Sequence, residues 1–183
     1  MRALFLALVL ALAAGAAQAA APLAEVMAHV RADRWAEARA AARPIGPVAG
    51  DIVEWRRLRA GEGDLADYLA FLARNPDWPG LDRLRAAGEE KLRPGAAPRD
   101  VLAFFGPSLP QTGAGAVAMV AAHAALGHPG DAEALAIWAW LTLPLGPDEQ
   151  AALLSRHRAA LALYHTARLD AMLWQGEEGA ARR

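Results

Sequence analysis

AVAMVAAHAALGHPGDAEALAIWAWLTL, residues 116–143, is the stretch of sequence that decides the fold. Two apolar, alanine-rich segments flank a short turn, and each is long enough for about three helical turns, which favours helix over strand. Gly127 suits the end of the first helix, Pro129 cannot continue that helix, and Asp131 can cap the second one. The second segment is apolar nearly all round, so we expect neighbours on more than one side. The stretch predicts an antiparallel helical hairpin that stacks on other hairpins.

Similar apolar segments run along most of the chain, and no β-strand or β-hairpin pattern interrupts them. Periodicity and the positions of glycine and proline predict further helices at Leu23–Asp33, Trp35–Arg43, Ile52–Ala60, Leu65–Arg74, Leu81–Leu92, Pro98–Phe105, Gln150–His157, Thr166–Trp174 and Glu178–Arg183. Periodicity alone leaves open whether Arg158–Tyr164 continues the preceding helix or breaks it. We predict an all-α fold, a superhelical stack of antiparallel helix pairs resembling a TPR or HEAT solenoid, with no β-sheet.

The amino-terminal residues have the pattern of a secretory signal peptide. Arg2 supplies the positive charge, Ala3–Ala14 is the apolar segment, and Ala17-Gln18-Ala19 fits the small-residue cleavage rule. A retained membrane anchor is the alternative, but an apolar run of about a dozen residues is short for a bilayer. We predict a signal peptide over residues 1–19, cleavage between Ala19 and Ala20, a periplasmic location and no stable membrane insertion.

The carboxyl end of the sequence predicts an incomplete helix pair. Only a few residues follow the turn at Gly176, too few to cover Leu169 and Leu173 as the earlier helices are covered. We therefore expect one helical-repeat domain over residues 20–183, which is cut short or continues in a longer natural protein.

Composition excludes several classes of function for this chain of 183 residues. The chain has no cysteine, which rules out disulfides, thiol catalysis and cysteine-based zinc sites. Its formal charge of −1 argues against a nucleic-acid partner, because such proteins are usually clearly basic. The five histidines do not have the spacing of a helical zinc motif. The sequence therefore predicts no metal site and no cofactor.

No residue pattern predicts a catalytic centre. Thr112-Gly113-Ala114-Gly115 lacks the spacing and the lysine of a phosphate-binding loop, so a loop that starts a helix is favoured. The pairs Glu89/Glu90 and Glu177/Glu178 lie in charged segments and are expected to be solvated. A catalytic glutamate usually needs an apolar pocket that raises its pKa, and neither pair has flanking residues that suggest one.

Six tryptophans are a high count for this length, and tryptophan either fills gaps between helices or stacks on sugar rings. Core packing is the default for each of them. Trp138 and Trp140 lie about 200° apart around a helix, so they should face different layers, with Trp140 the more exposed. Trp55, which precedes Arg56 and Arg57, is the second candidate. Trp55 and Trp140 are thus the predicted substrate-binding residues.

Three stretches of the sequence contain motifs that also occur in a known protein family. They are DYLAFL with NPDWPGL at residues 67–72 and 75–81, PQTG at 110–113, and HTARLDAMLW at 165–174. Together they resemble the amino-terminal superhelical region of bacterial soluble lytic murein transglycosylases, over essentially the whole mature chain. The last stretch holds an Arg-Leu-Asp-x-x-Leu-Trp box at the start of a helix. In the family a helix break precedes this box, which implies a break near Arg158–Leu163 here.

The resemblance implies a periplasmic protein that acts on peptidoglycan. Enzymes of the family cleave the bond between N-acetylmuramic acid and N-acetylglucosamine without water. One glutamate, in a Glu-Ser pair of a carboxy-terminal lysozyme-like domain, acts first as acid and then as base. This sequence has no Glu-Ser pair, so no catalytic residue is carried over and the chain alone is expected to be inactive. The implied partners are peptidoglycan, the lysozyme-like catalytic domain and other envelope proteins.

Three functions remain open from the sequence. The first is a scaffold region of a lytic transglycosylase that positions glycan strands or stem peptides during cell-wall turnover. The second is an exported helical-repeat adaptor that binds another envelope protein, and the third is an enzyme with an unrecognised site on its concave face. The motifs favour the first.

Overall fold

The computed structural model describes residues 22–92 and 95–182, so the predicted signal peptide and its cleavage site lie outside the described residues. The helices are α1 (22–31), α2 (Trp35–Ala42), α3 (Pro47–Arg59), α4 (Leu65–Arg74), α5 (Leu81–Glu89), α6 (Pro98–Phe105), α7 (Gly113–Ala125), α8 (Pro129–Thr142), α9 (Pro147–Ala162), α10 (His165–Trp174) and α11 (Glu178–Ala181). The described residues contain no strand, which confirms the all-α prediction. Within these ranges, no helix combines the length and the apolar character that crossing a membrane requires.

The described residues as far as Glu62 form one compact unit, built from α1, α2 and α3. Its buried core consists of small aliphatic side chains, which allow the helices to approach closely: Val26, Val30, Ala38, Ala42, Ala49 and Val53. Arg57 fixes the end of α3, because its guanidinium bonds the Glu54 carboxylate and donates to the Glu62 carbonyl.

The residues from Gly63 onward form a second compact unit, which contains α4 to α11. At its amino-terminal end, Tyr68, Phe104 and Phe105 are fully buried and meet edge to face, with ring centroids 6.0 Å apart for Tyr68–Phe104 and 5.1 Å for Phe104–Phe105. Helix α4, the first of this unit, begins with a capping box. The Asp64 side chain accepts from the Asp67 amide at 2.9 Å, and the Asp67 side chain accepts from the Asp64 amide at 3.2 Å. Such reciprocal bonds satisfy amides that the first helical turn leaves free.

Helices α7 and α8 form the hairpin that residues 116–143 predict. Gly127 adopts a φ of 79° in the turn, a left-handed conformation that favours glycine. The expected capping role of Asp131 was wrong, because α8 begins at Pro129 with His128 as its N-cap and Asp131 falls in the first turn. The hairpin anchors the larger core: Ala116, Val120, Ala132, Leu135, Ala136, Ala139, Trp140, Leu143, Leu145, Leu153 and Leu161.

Several helix boundaries differ from the sequence prediction. Helix α3 begins at Pro47, five residues before Ile52, since proline has no amide hydrogen to lose in the first turn. Helix α5 ends at Glu89 rather than at Leu92. Helix α9 is kinked at His157, where φ is −122° and ψ is 22°, and it ends at Ala162. The break before the Arg-Leu-Asp box therefore falls at residues 163–164. The solenoid arrangement and the single domain over 20–183 stay predictions.

Candidate functional site

A cavity of about 630 Å³ lies between α6, α7 and α9, and we refer to it as the α7 cleft. Four alanines of α7 line it with the spacing of one helix face: Ala114, Ala118, Ala121 and Ala125. Val101 of α6 contributes to the apolar lining. Because alanine side chains end at Cβ, this face leaves space where larger residues would have filled the gap between the helices. The volume is within the range of small-ligand pockets.

Charged side chains of α9 complete the α7 cleft. Asp148 and Glu149 lie in the first turn of α9, and Arg156 follows eight residues later, about 12 Å further along the helix at 1.5 Å per residue. The cleft thus has an acidic end and a basic end beside an apolar face. The described lining residues include no aromatic side chain, so sugar-ring stacking is not offered there.

Glu89 lies at the end of α5, and the prediction that it is solvated was wrong, because its side chain is only 1 % exposed. One carboxylate oxygen accepts from the backbone amide of Gln111 at 2.8 Å. The other accepts from the Thr112 amide at 2.7 Å and from the Thr112 hydroxyl at 2.6 Å. These donors lie at the start of α7, where free amides and the helix dipole favour a negative charge. Glu89 therefore fastens the end of α5 to the start of α7.

This contact explains the Thr112–Gly115 loop. The expected helix start is confirmed, since Thr112 is the N-cap of α7 and its hydroxyl accepts from the Gly115 amide at 3.0 Å. The amides of Gln111 and Thr112, which could otherwise bind an anion, bind the Glu89 carboxylate. A Cβ on Gly115 would collide with that carboxylate, so glycine is required for the close approach.

Burial raises the pKa of Glu89 above its ordinary value of 4.5, and the hydrogen bonds from Thr112 and Gln111 oppose this shift. The folded chain then holds this proton more tightly than the unfolded chain. Glu89 therefore favours folding most below pH 4.5, and this proton-linked part of its contribution is lost as the pH rises through the raised pKa. We expect Glu89→Gln to remove this pH-dependent loss of stability.

Urea unfolding at pH values from about 4 to 7 measures the effect as a change in the slope of unfolding free energy against pH. Glu90→Gln is the matched control, because Glu90 is exposed and should leave the wild-type slope unchanged. Equal slopes for the wild type and Glu89→Gln just above pH 4.5 would contradict the expected direction.

The two predicted substrate-binding tryptophans have different environments. The expectation that Trp140 is exposed was wrong: it is 2 % exposed, because α10 covers that face of α8. Its ring meets His165 edge to face, with centroids 5.5 Å apart. Trp55 is half-buried, and the guanidinium of Arg59 stacks 4.4 Å from its ring centroid. Trp55 belongs to the first compact unit and Trp140 to the second.

The Arg-Leu-Asp box has a structural role that the sequence did not reveal. Arg168 is 4 % exposed and donates to the carbonyls of Trp140 and Leu143, at the end of α8. Its guanidinium also lies 4.6 Å from the centroid of the Trp140 ring. A cation is favourable where the last carbonyls of a helix are free. The arginine of the box therefore ties α10 to α8.

The remaining candidate acids and histidines separate into two groups. Glu177 and Glu178 are exposed, as expected, and Glu178 pairs with Arg182 at 3.1 Å. By contrast, His123 and His128 lie close together with Asp131 at the turn between α7 and α8. These three residues were not grouped from the sequence, because their spacing matches no known zinc motif.

No family model, curated protein or solved structure matches the chain. The resemblance to lytic transglycosylases therefore rests on the three quoted stretches alone.

Proposed function

We propose that the chain is a periplasmic binding scaffold of the peptidoglycan lytic transglycosylase kind, which holds stem peptides in the α7 cleft. The observation that carries the proposal is the cleft itself, an apolar alanine face beside Asp148 and Glu149 at one end and Arg156 at the other. Stem peptides are short, contain alanine and carry both carboxylate and ammonium groups. Such a ligand matches the apolar face and both charged ends.

The environment of Glu89 supports binding rather than catalysis. Among the described carboxylates, Glu89 is the one that is fully buried, and both of its oxygens are engaged by the start of α7. Glu89 is absent from the lining of the α7 cleft, where Asp148 and Glu149 are the carboxylates. An acid that serves as a helix cap is not positioned to exchange a proton with a ligand in the cleft. The cleavage of glycan strands is assigned to a separate lysozyme-like domain.

Calorimetric titration with purified muropeptides tests the proposal. We expect a disaccharide that carries its stem peptide to bind, and the same disaccharide without the peptide to bind at least tenfold more weakly. Ala118→Phe should fill the cleft and weaken binding by at least about tenfold, about 1.4 kcal/mol. Ala134→Phe, at an exposed position of α8 that does not line the cleft, is the matched control.

Two results would overturn the proposal. One is equal binding of the disaccharide with and without its peptide, and the other is unchanged binding by Ala118→Phe in a protein that melts like the wild type. We further expect no anhydro products when the chain alone is incubated with peptidoglycan sacculi. Release of such products would support the third function, an enzyme with an unrecognised site.

A second candidate function, an adaptor for another envelope protein, is favoured by an exposed apolar surface. The end of α9 and helix α10 expose four large side chains, with exposed fractions of 82 % for Leu163, 43 % for Leu169, 53 % for Leu173 and 92 % for Trp174. Exposed apolar patches often mark interaction surfaces. If the chain is an adaptor, Trp174→Ser should abolish its capture of an envelope protein. Ala118→Phe should leave that capture unchanged.

A further inference from the structure

We propose that the turn between α7 and α8 is a binding site for a divalent transition-metal ion such as Zn²⁺, with His123, His128 and Asp131 as ligands. One candidate ligand atom of each residue lies within 4.8 Å of those of the other two. Two imidazoles and a carboxylate form a ligand set that suits zinc and leaves one coordination position for water. The proposal is independent of the function proposed for the α7 cleft.

The backbone of the turn holds the three side chains together. His123 lies in the last turn of α7 and His128 is the N-cap of α8. The His128 amide donates to the His123 carbonyl at 2.9 Å, and the Gly127 amide donates to the Ala124 carbonyl at 3.2 Å, so the chain reverses within five residues. The two imidazole centroids are 5.9 Å apart. Asp131 follows in the first turn of α8, where side chains lean back towards the turn.

The environment of His123 provides a second, independent observation. Its Nδ1 atom is buried and has no hydrogen-bond partner among the described residues. A carboxylate oxygen, Oδ2 of Asp131, lies 3.9 Å away, beyond hydrogen-bond distance. Two ligands bound to one zinc ion, each about 2.0–2.1 Å from it, are about 3.4 Å apart in a tetrahedral site. A small shift of the exposed Asp131 side chain would therefore place both atoms on one ion and satisfy the buried nitrogen.

The two outer ligands can complete the site without disturbing the core. His128 and Asp131 are both exposed, so their side chains are free to change rotamer when an ion binds, whereas the half-buried His123 provides the fixed ligand. A bound ion would join the last turn of α7 to the first turn of α8. It would therefore stabilise the hairpin that anchors the larger core.

The test is a calorimetric titration of the full, untagged and chelator-treated chain with ZnCl₂, because a histidine tag would itself bind zinc. We expect one ion per chain and a melting temperature that rises by about 5–10 °C at a hundredfold excess over the dissociation constant. Mutation of a residue that only hydrogen-bonds to a metal ligand typically lowers metal affinity by about 10- to 100-fold. The loss of a direct ligand, in His128→Gln or Asp131→Asn, should therefore weaken binding at least tenfold.

Glu133→Gln is the matched control, since it removes the same charge from an exposed position two residues further along α8. His29→Gln is the corresponding control for a histidine outside the cluster. Both should bind zinc as the wild type does. The proposal is overturned if the wild type shows no binding heat, or if Asp131→Asn and His128→Gln bind zinc as tightly as the wild type. In the latter case the ion lies elsewhere, and His123 and Asp131 are only neighbours at the turn.

Discussion

Glu89→Ala should destabilise the unit from Gly63 onward by about 3–5 kcal/mol, because three donors lose a charged acceptor and each buried donor left without a partner costs about 1–3 kcal/mol. The substitution leaves the amides of Gln111 and Thr112 and the Thr112 hydroxyl without their acceptor. It also leaves a cavity in the space that the carboxylate occupies. Both losses fall at the junction of α5 and α7, so we expect the start of α7 to loosen first.

Urea unfolding at pH 7 measures this loss as a fall in the transition midpoint. Glu89→Gln should have a smaller effect of about 1.5–3 kcal/mol, because the amide keeps one acceptor oxygen but points an N–H group at a donor. Glu90→Gln makes the same change at the exposed neighbouring residue and should stay within about 0.5 kcal/mol of the wild type. A Glu89→Ala protein as stable as the Glu90→Gln protein would show that the three hydrogen bonds contribute little.

Glu89 illustrates where prediction from the sequence fails. Its neighbours, Glu90 and Lys91, are charged, and the local pattern therefore indicated a solvated segment. Its hydrogen-bond partners lie 22 and 23 residues further along the chain, beyond the reach of helical periodicity. Only the fold brings a helix start to the end of α5. A buried acid of this kind has no signature in the residues beside it.

The helices themselves were largely predictable, because glycine and proline mark their ends. Pro98 and Phe105 were predicted as the limits of α6, and Leu65 and Arg74 as those of α4. The start of α3 was predicted five residues too late, at Ile52, whereas the helix begins at Pro47. The side of α8 that carries Trp140 could not be predicted, because the helix that covers it, α10, begins some 25 residues later.

The candidate sites depend on the same long-range information. The α7 cleft exists because the alanine face of α7 meets α6 and α9, and each alanine alone is an ordinary helix residue. The cluster of His123, His128 and Asp131 is more local, and the five- and three-residue spacings across a Gly-containing turn are its signal. That signal matches no helical zinc motif, so a search for known spacings passes over it.

Gly88→Ala should destabilise the same unit by about 2 kcal/mol. A Cβ at position 88 would lie 2.8 Å from Cε2 and Cζ of Phe104 and 2.8 Å from Cδ1 of Tyr68, all closer than carbon atoms can approach. Both rings are fully buried, and Phe104 is also wedged edge to face against Phe105, so neither ring can move away freely. Overpacking of this kind costs about 1–3 kcal/mol or more, and the gain in helix propensity of about 1 kcal/mol offsets only part of it.

Gly130→Ala separates the clash from the change in backbone entropy, because Gly130 lies in α8 of the same unit and its added Cβ would meet nothing within 4 Å. This control should be neutral or slightly stabilising.

A double-mutant cycle then tests whether the contact with Phe104 causes the loss of stability in Gly88→Ala. Phe104→Leu removes the ring atoms that the new Cβ would meet, so Gly88→Ala should cost at least about 1 kcal/mol less in the Phe104→Leu background than in the wild type. Strictly additive losses would place the cost of Gly88→Ala in its contact with Tyr68 or in the backbone of α5 rather than in its contact with Phe104.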